Sequence, residues 1–148
     1  MRERRMLLRL ISIAEAQKVS EQVARFALAE ALRTREAREA AERRAHDEVA
    51  ELLDAWTNRL RMRFDPGLLA GAHAAVEMSD AHRQKAASDA AAARKLAEER
   101  AQALHLARAR AQVTAKSVSC LRRRLTRRRE EQVATTLADL TTMDWSRQ

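Results

Sequence analysis

Phe64-Asp65-Pro66-Gly67 is the only cluster of helix-breaking residues in this chain of 148, and its reading decides the fold. Asp65 suits an N-cap, because its side chain can accept from the first free backbone N–H groups of a helix. Pro66 suits the first helical position, where its missing N–H would have no partner anyway. Upstream, Arg2 to Arg63 holds neither Gly nor Pro and is a nearly unbroken run of strong helix formers. Downstream, no Gly or Pro follows Gly71. The expectation is therefore one helix over about 2–63, a turn at 64–67, and a second helix from 66 to about 142, fraying near Asp144-Trp145. The fold class is all-α: a single domain, 1–148, forming a long two-helix antiparallel coiled-coil hairpin.

Alternating steps of three and four from Leu69 give Ala72, Val76, Ser79, Arg83, Ala86, Ala90, Ala93, Ala97, Arg100, Leu104, Ala107, Ala111, Thr114, Val118, Leu121 and Leu125. Only Arg83 and Arg100 are charged, so helix 2 presents a sustained heptad seam. Their stems are expected to lie along the partner helix while their charges reach water. Helix 1 shows a seam in fragments: Met6, Leu10 and Ile13, then Val19, Val23 and Phe26, then Ala45, Val49, Leu52, Trp56 and Leu60. A short connection makes the helices antiparallel neighbours, with facing residue numbers adding to about 131. At 1.5 Å per residue the hairpin is expected to be roughly 90 Å long, with about 15 to 20 residues of helix 2 overhanging the N-terminus.

With 2 Gly, 1 Pro, 2 Phe, 2 Trp, no Tyr and 34% charged residues, the composition fits a long helix pair burying a narrow seam rather than a globular core. No stretch approaches the ~18 consecutive apolar residues of a membrane span, and Met6–Ile13 is interrupted by Arg9 and lacks a secretory cleavage site, so the cytoplasm is the expected compartment. The single Cys120 cannot form an internal disulfide and is expected to be a small buried or half-buried residue.

The net charge of +8 is unevenly placed. Met1–Arg9 carries Arg2, Arg4, Arg5 and Arg9 against Glu3. From Lys116 to Arg129 there are seven basic residues and no acid, six of them Arg122, Arg123, Arg124, Arg127, Arg128 and Arg129. The remainder holds 18 basic and 20 acidic residues, a balanced solvated surface. Antiparallel pairing brings the two basic segments together into one cationic collar at the end that carries the termini. Crowding that much like charge is unfavourable unless something acidic lies against it: a protein rim, nucleic-acid phosphate or a membrane surface. No aromatic residue is interleaved with the arginines, which argues against base stacking.

Catalytic and cofactor chemistry finds no foothold. His46, His73, His82 and His105 never pair at i and i+4, so a helix-borne metal site is not expected. Gly67 and Gly71 cannot build a phosphate-cradling loop, and a helix pair offers no concave pocket to shift a carboxylate pKa. We expect no enzyme, no cofactor and no small-molecule substrate.

The arginine-rich opening Met1-Arg2-Glu3-Arg4-Arg5-Met6-Leu7-Leu8-Arg9-Leu10, the single mid-chain turn, the basic C-terminal third and the length resemble the central stalk proteins of type III secretion and flagellar export ATPases. The resemblance covers the whole chain and is architectural. It implies a cytoplasmic stalk like the rotor subunit of rotary ATPases, peripheral to the inner membrane through its partners. The terminal half would enter the pore of a hexameric secretion ATPase, and the turn end would face the export gate. Arg2, Arg4, Arg5, Arg9, Arg122–Arg124 and Arg127–Arg129 would then be the cationic contacts, with Val133, Leu137 and Leu140 adding apolar ones. Phe64, Leu68 and Leu69 would be the gate-facing tip. Export chaperones are a further class of partner the resemblance admits. Two other readings stay open: a nucleic-acid-binding coiled coil that touches phosphates without reading bases, and a scaffold in which two hairpins join as a four-helix bundle.

Overall fold

The computed structural model describes residues 2–62 and 66–145, with side chains for 3–62 and 66–140. Among them every residue is helical: α1 runs over Arg2–Met62 and α2 over Pro66–Trp145, 61 and 80 residues. The chain is an all-α hairpin of two helices. Pro66 opens α2 and Gly67 lies within it. The cap expected at Asp65 and the tip residue Phe64 fall outside the described residues. Threonines tolerate the helix interior by donating their hydroxyls to the carbonyl four residues back, as Thr34, Thr57 and Thr114 do.

The chain divides into two compact units, a turn unit of Ala24–Ala103 and a terminal unit of Met1–Val23 with Leu104–Gln148. In the turn unit, Arg94 of α2 donates to Glu39 and Glu42 of α1 at 2.9 and 2.7 Å, and Arg38 donates to Asp89 at 3.3 Å. These contacts tie the two stretches side by side. Between them the buried side chains are alanines: Ala31 and Ala45 on α1, and Ala72, Ala90, Ala93 and Ala97 on α2. Leu52, Trp56 and Leu60 are half-buried on the same strip of α1. Arg83 is half-buried and ion-paired to Asp80 one turn earlier on its own helix, while Arg100 is exposed.

The terminal unit is antiparallel, with Arg128 paired to Glu3 at 2.7 Å and Arg108 to Glu21 at 3.4 Å. Its α2 strip follows the expected heptads: Leu104, Thr114 and Val118 are buried, and Ala107, Ala111, Leu121 and Leu125 half-buried. Its α1 strip departs from expectation. Leu7, Leu10, Ala14, Gln17 and Glu21 are half-buried, whereas Met6, Ile13, Val19 and Val23 are exposed. Phe26, at the start of the turn unit's α1 stretch, is 76% exposed. The step from Ile13 to Val19 is six residues and breaks the alternation of three and four, so those apolar fragments cannot share one strip. The phase that steps evenly from Leu7 through Ala14 and Glu21 prevails, at the cost of turning several large apolar side chains to water. Cys120 is likewise exposed rather than half-buried. It lies between Val118 and Leu121, which take the seam, and so points away from α1.

No large side chain is fully buried among the described residues. The chain exposes 12236 Å², against roughly 7,600 Å² for a globular protein of this mass. Among the described residues the buried side chains all lie on the seam, and each turn of it contributes little.

Candidate functional site

The terminal unit assembles its charge from both helices. Glu3 sits on the α1 strip, one turn before Leu7, and faces α2 at the level of Arg124 and Arg128. It accepts from Arg128 at 2.7 Å and lies 3.9 Å from Arg124. A contact spanning 125 positions of sequence brings the opening arginines and the Arg122–Arg129 run to one end of the unit. Arg4, Arg5, Arg9, Arg122, Arg123, Arg124, Arg127, Arg128 and Arg129 are all exposed. The side chain of Arg2 falls outside the described residues. Glu3 is the feature that reasoning from charge alone passed over. It is the sole acid among the opening arginines, and its number and that of Arg128 add to the antiparallel register, which was the available signal.

Beyond Arg128, α2 continues to Trp145, more than four further turns past the level of Glu3. The heptad positions that form the seam become polar there: Arg128, Gln132, Thr135 and Asp139. Val133 and Leu140 instead fall one residue later, about 100° around the helix, and Leu137 two residues later, and each is 58% exposed. This apolar stripe is therefore separate from the surface that meets α1. Between collar and stripe, Cys120, Arg123, Arg124, Arg127, Arg128 and Glu131 line an open depression of about 480 Å³. Arg128, Glu131, Gln132, Thr135 and Thr136 line another of about 580 Å³. Neither is enclosed, and what they offer is a surface of guanidinium groups beside short polar side chains.

The expected tip residues belong to the turn unit. Leu68 is half-buried and lines an open groove of about 470 Å³ with Asn58, Arg59 and Met62. Leu69, expected on the seam, is exposed. Nearby, the Arg59 guanidinium lies 5.6 Å from the centre of the Trp56 ring, one turn back on α1.

Two carboxylates in the turn unit are held below their ordinary range. For Glu39 the main cause is the hydrogen bond from Arg94, with the nearby charge of Arg35 adding to it. For Asp80 it is the hydrogen bond from Arg83, followed by that from Gln84. Arg94 is in turn raised by its hydrogen bonds to Glu39 and then Glu42. Among the described residues no group of three His, Cys, Asp or Glu side chains is placed to hold a metal ion. None of the described helices is long and apolar enough to cross a membrane. No known protein family, curated protein or solved structure matches the chain.

Proposed function

We propose that the chain is a non-enzymatic coiled-coil stalk of a type III protein export apparatus, whose cationic terminal end inserts into the hexameric export ATPase and whose turn end meets the export gate. One observation supports it above the others: the exposed arginines and the apolar stripe at Val133, Leu137 and Leu140 occupy the same end of the terminal unit. A socket with an acidic or polar rim and an apolar throat would engage both, whereas phosphate would engage only the arginines.

The experiment is to replace Arg122, Arg123, Arg124, Arg127, Arg128 and Arg129 by Gln together and to measure binding to the export ATPase of the same organism. Gln is a good helix former, so the circular dichroism of the variant should match the parent. Binding should weaken at least tenfold, and a further truncation after Arg129 should abolish it. Undiminished binding by both variants would refute the reading.

The nucleic-acid reading has its own observation, since a run of exposed arginines without aromatic neighbours is what sequence-blind phosphate contact needs. On that reading the truncation after Arg129 is without effect, because no arginine of the run is lost.

A further inference from the structure

Heptad positions fix the flank of the terminal unit on which each exposed residue lies. On α1, Leu7, Ala14 and Glu21 take position a, and Leu10 and Gln17 take d. On α2, Leu104, Ala111 and Val118 take a, and Ala107, Thr114 and Leu121 take d. Antiparallel neighbours then bring their e positions together on one flank and their g positions on the other. The ion pairs agree: Arg108, at e, meets Glu21, at a, while Arg124, at g, meets Glu3, at d.

The two flanks differ in chemistry. The e flank carries Arg4, Lys18, Arg108, Arg122 and Arg129. The g flank, between the levels of Ile13 and Val23, carries Ile13, Ala16, Ser20 and Val23 from α1, and Leu106, Arg110, Val113, Ser117 and Cys120 from α2. Arg110 is its single charge. Leu106 is 60% and Val113 64% exposed, and Ile13, Val23 and Cys120 are exposed beside them.

We propose that this flank docks a second copy of the chain, antiparallel to the first, across a two-fold axis at the level of Val113. The flank is self-complementary about that level, as an interface between identical patches must be. Val113 meets itself. Leu106 and Cys120 lie seven residues to either side of it and so face each other's counterparts. Ile13 and Val23 lie five residues to either side of Lys18, which is level with Val113, and face each other in the same way. Arg110, three residues before the axis, falls level with Lys116 of the other copy, which sits at f beside the flank, and its nearest neighbour within the flank is Ser117. The parallel alternative would stack the two cationic ends on each other. The antiparallel one separates them by roughly 40 Å of helix, several times the ~8 Å screening length at physiological salt.

The flank is roughly 20 Å long and two helices wide, so each copy loses about 400 Å². That is half the ~800 Å² per partner of a standard interface, which makes the dimer a weak, transient one. The inference does not rest on the stalk reading.

Sedimentation velocity of the full chain from ~10 µM to ~1 mM, the range in which weak complexes form, should show monomer passing to dimer. Val113→Glu places two carboxylates on the axis and should hold the chain monomeric throughout, with helicity unchanged because Val113 is exposed. Leu8→Glu, an equally exposed site on the other flank, should leave the dimer intact. Under mild oxidation Val113→Cys in a Cys120→Ser background should form an interchain disulfide. Native Cys120, roughly 20 Å from its counterpart, should not. A chain monomeric at every concentration, a Val113→Glu variant that dimerises like the parent, or ready cross-linking through Cys120 would each overturn the proposal.

Discussion

Gln17 occupies a seam position of α1 where a leucine would continue the pattern of Leu7 and Leu10, and its side-chain oxygen is buried without a hydrogen-bond partner. Such an orphan costs about 1–3 kcal/mol of desolvation. Gln17→Leu should therefore raise stability to chemical denaturation by about 1 kcal/mol or more, and a lower denaturation midpoint would show that the oxygen is solvated. Thr114 is the contrasting case. It too is polar and buried on a seam, but its hydroxyl donates to the Arg110 carbonyl at 3.1 Å, so it carries no such penalty. Ala90, at 0% exposure, shows the other side of an alanine seam: small side chains there are a constraint on how closely the helices pack. Ala90→Leu should destabilise the protein by about 1–3 kcal/mol, whereas Ala91→Leu, one residue away and exposed, should be nearly neutral in the same denaturation assay.

At the scale of the elements, α2 was legible and α1 only in part. The α2 seam could be counted from Leu69 because its steps of three and four never falter, and nearly every position so named is buried or half-buried from Ala72 to Leu125. In α1 the large apolar residues mislead, since Met6, Ile13, Val19, Val23 and Phe26 attract attention by hydrophobicity while the strip in contact is built from Ala14, Gln17, Glu21, Ala24 and Ala31. A seam that buries small or charged residues is set by its phase against the partner helix, and that phase is not a property of α1 alone. A cross-helix pair, Glu39 with Arg94, and a pair within α2, Asp80 with Arg83, carry a pH signature. Glu39 and Asp80 have lowered pKa values when folded, so their stabilisation is fully present above the unfolded carboxylate range near pH 4 and is lost as pH falls through the folded values. The melting temperature should be flat from pH 8 to about 5 and fall below about 4. Arg94→Gln, which removes the principal cause of the Glu39 shift, should make the acid fall shallower, and an identical slope in parent and variant would show that this pair contributes nothing.

At the scale of the whole molecule, the two basic segments were legible from composition, and so was their meeting, because antiparallel pairing after one turn leaves no other arrangement. What the arginines meet was not legible, since exposed guanidinium groups serve an acidic protein rim and a phosphate backbone equally well. The tip belongs to the same account: replacing Leu68 and Leu69 by polar residues should leave helicity nearly unchanged yet impair export, and export at the parental rate would remove the turn end from the proposal. The central claim is that the cationic end fits a protein socket, and salt separates that from phosphate binding. Phosphate contacts release counterions, so duplex affinity should fall steeply with salt, with a slope near 0.9 per phosphate neutralised, while a socket that also engages Val133, Leu137 and Leu140 keeps an apolar component that salt does not screen. The decisive measurement is binding of the unmodified chain to the hexameric export ATPase and to duplex DNA, side by side at ~150 mM salt. The account predicts measurable ATPase binding and little DNA binding. Tight, salt-tolerant DNA binding with no ATPase binding would contradict it.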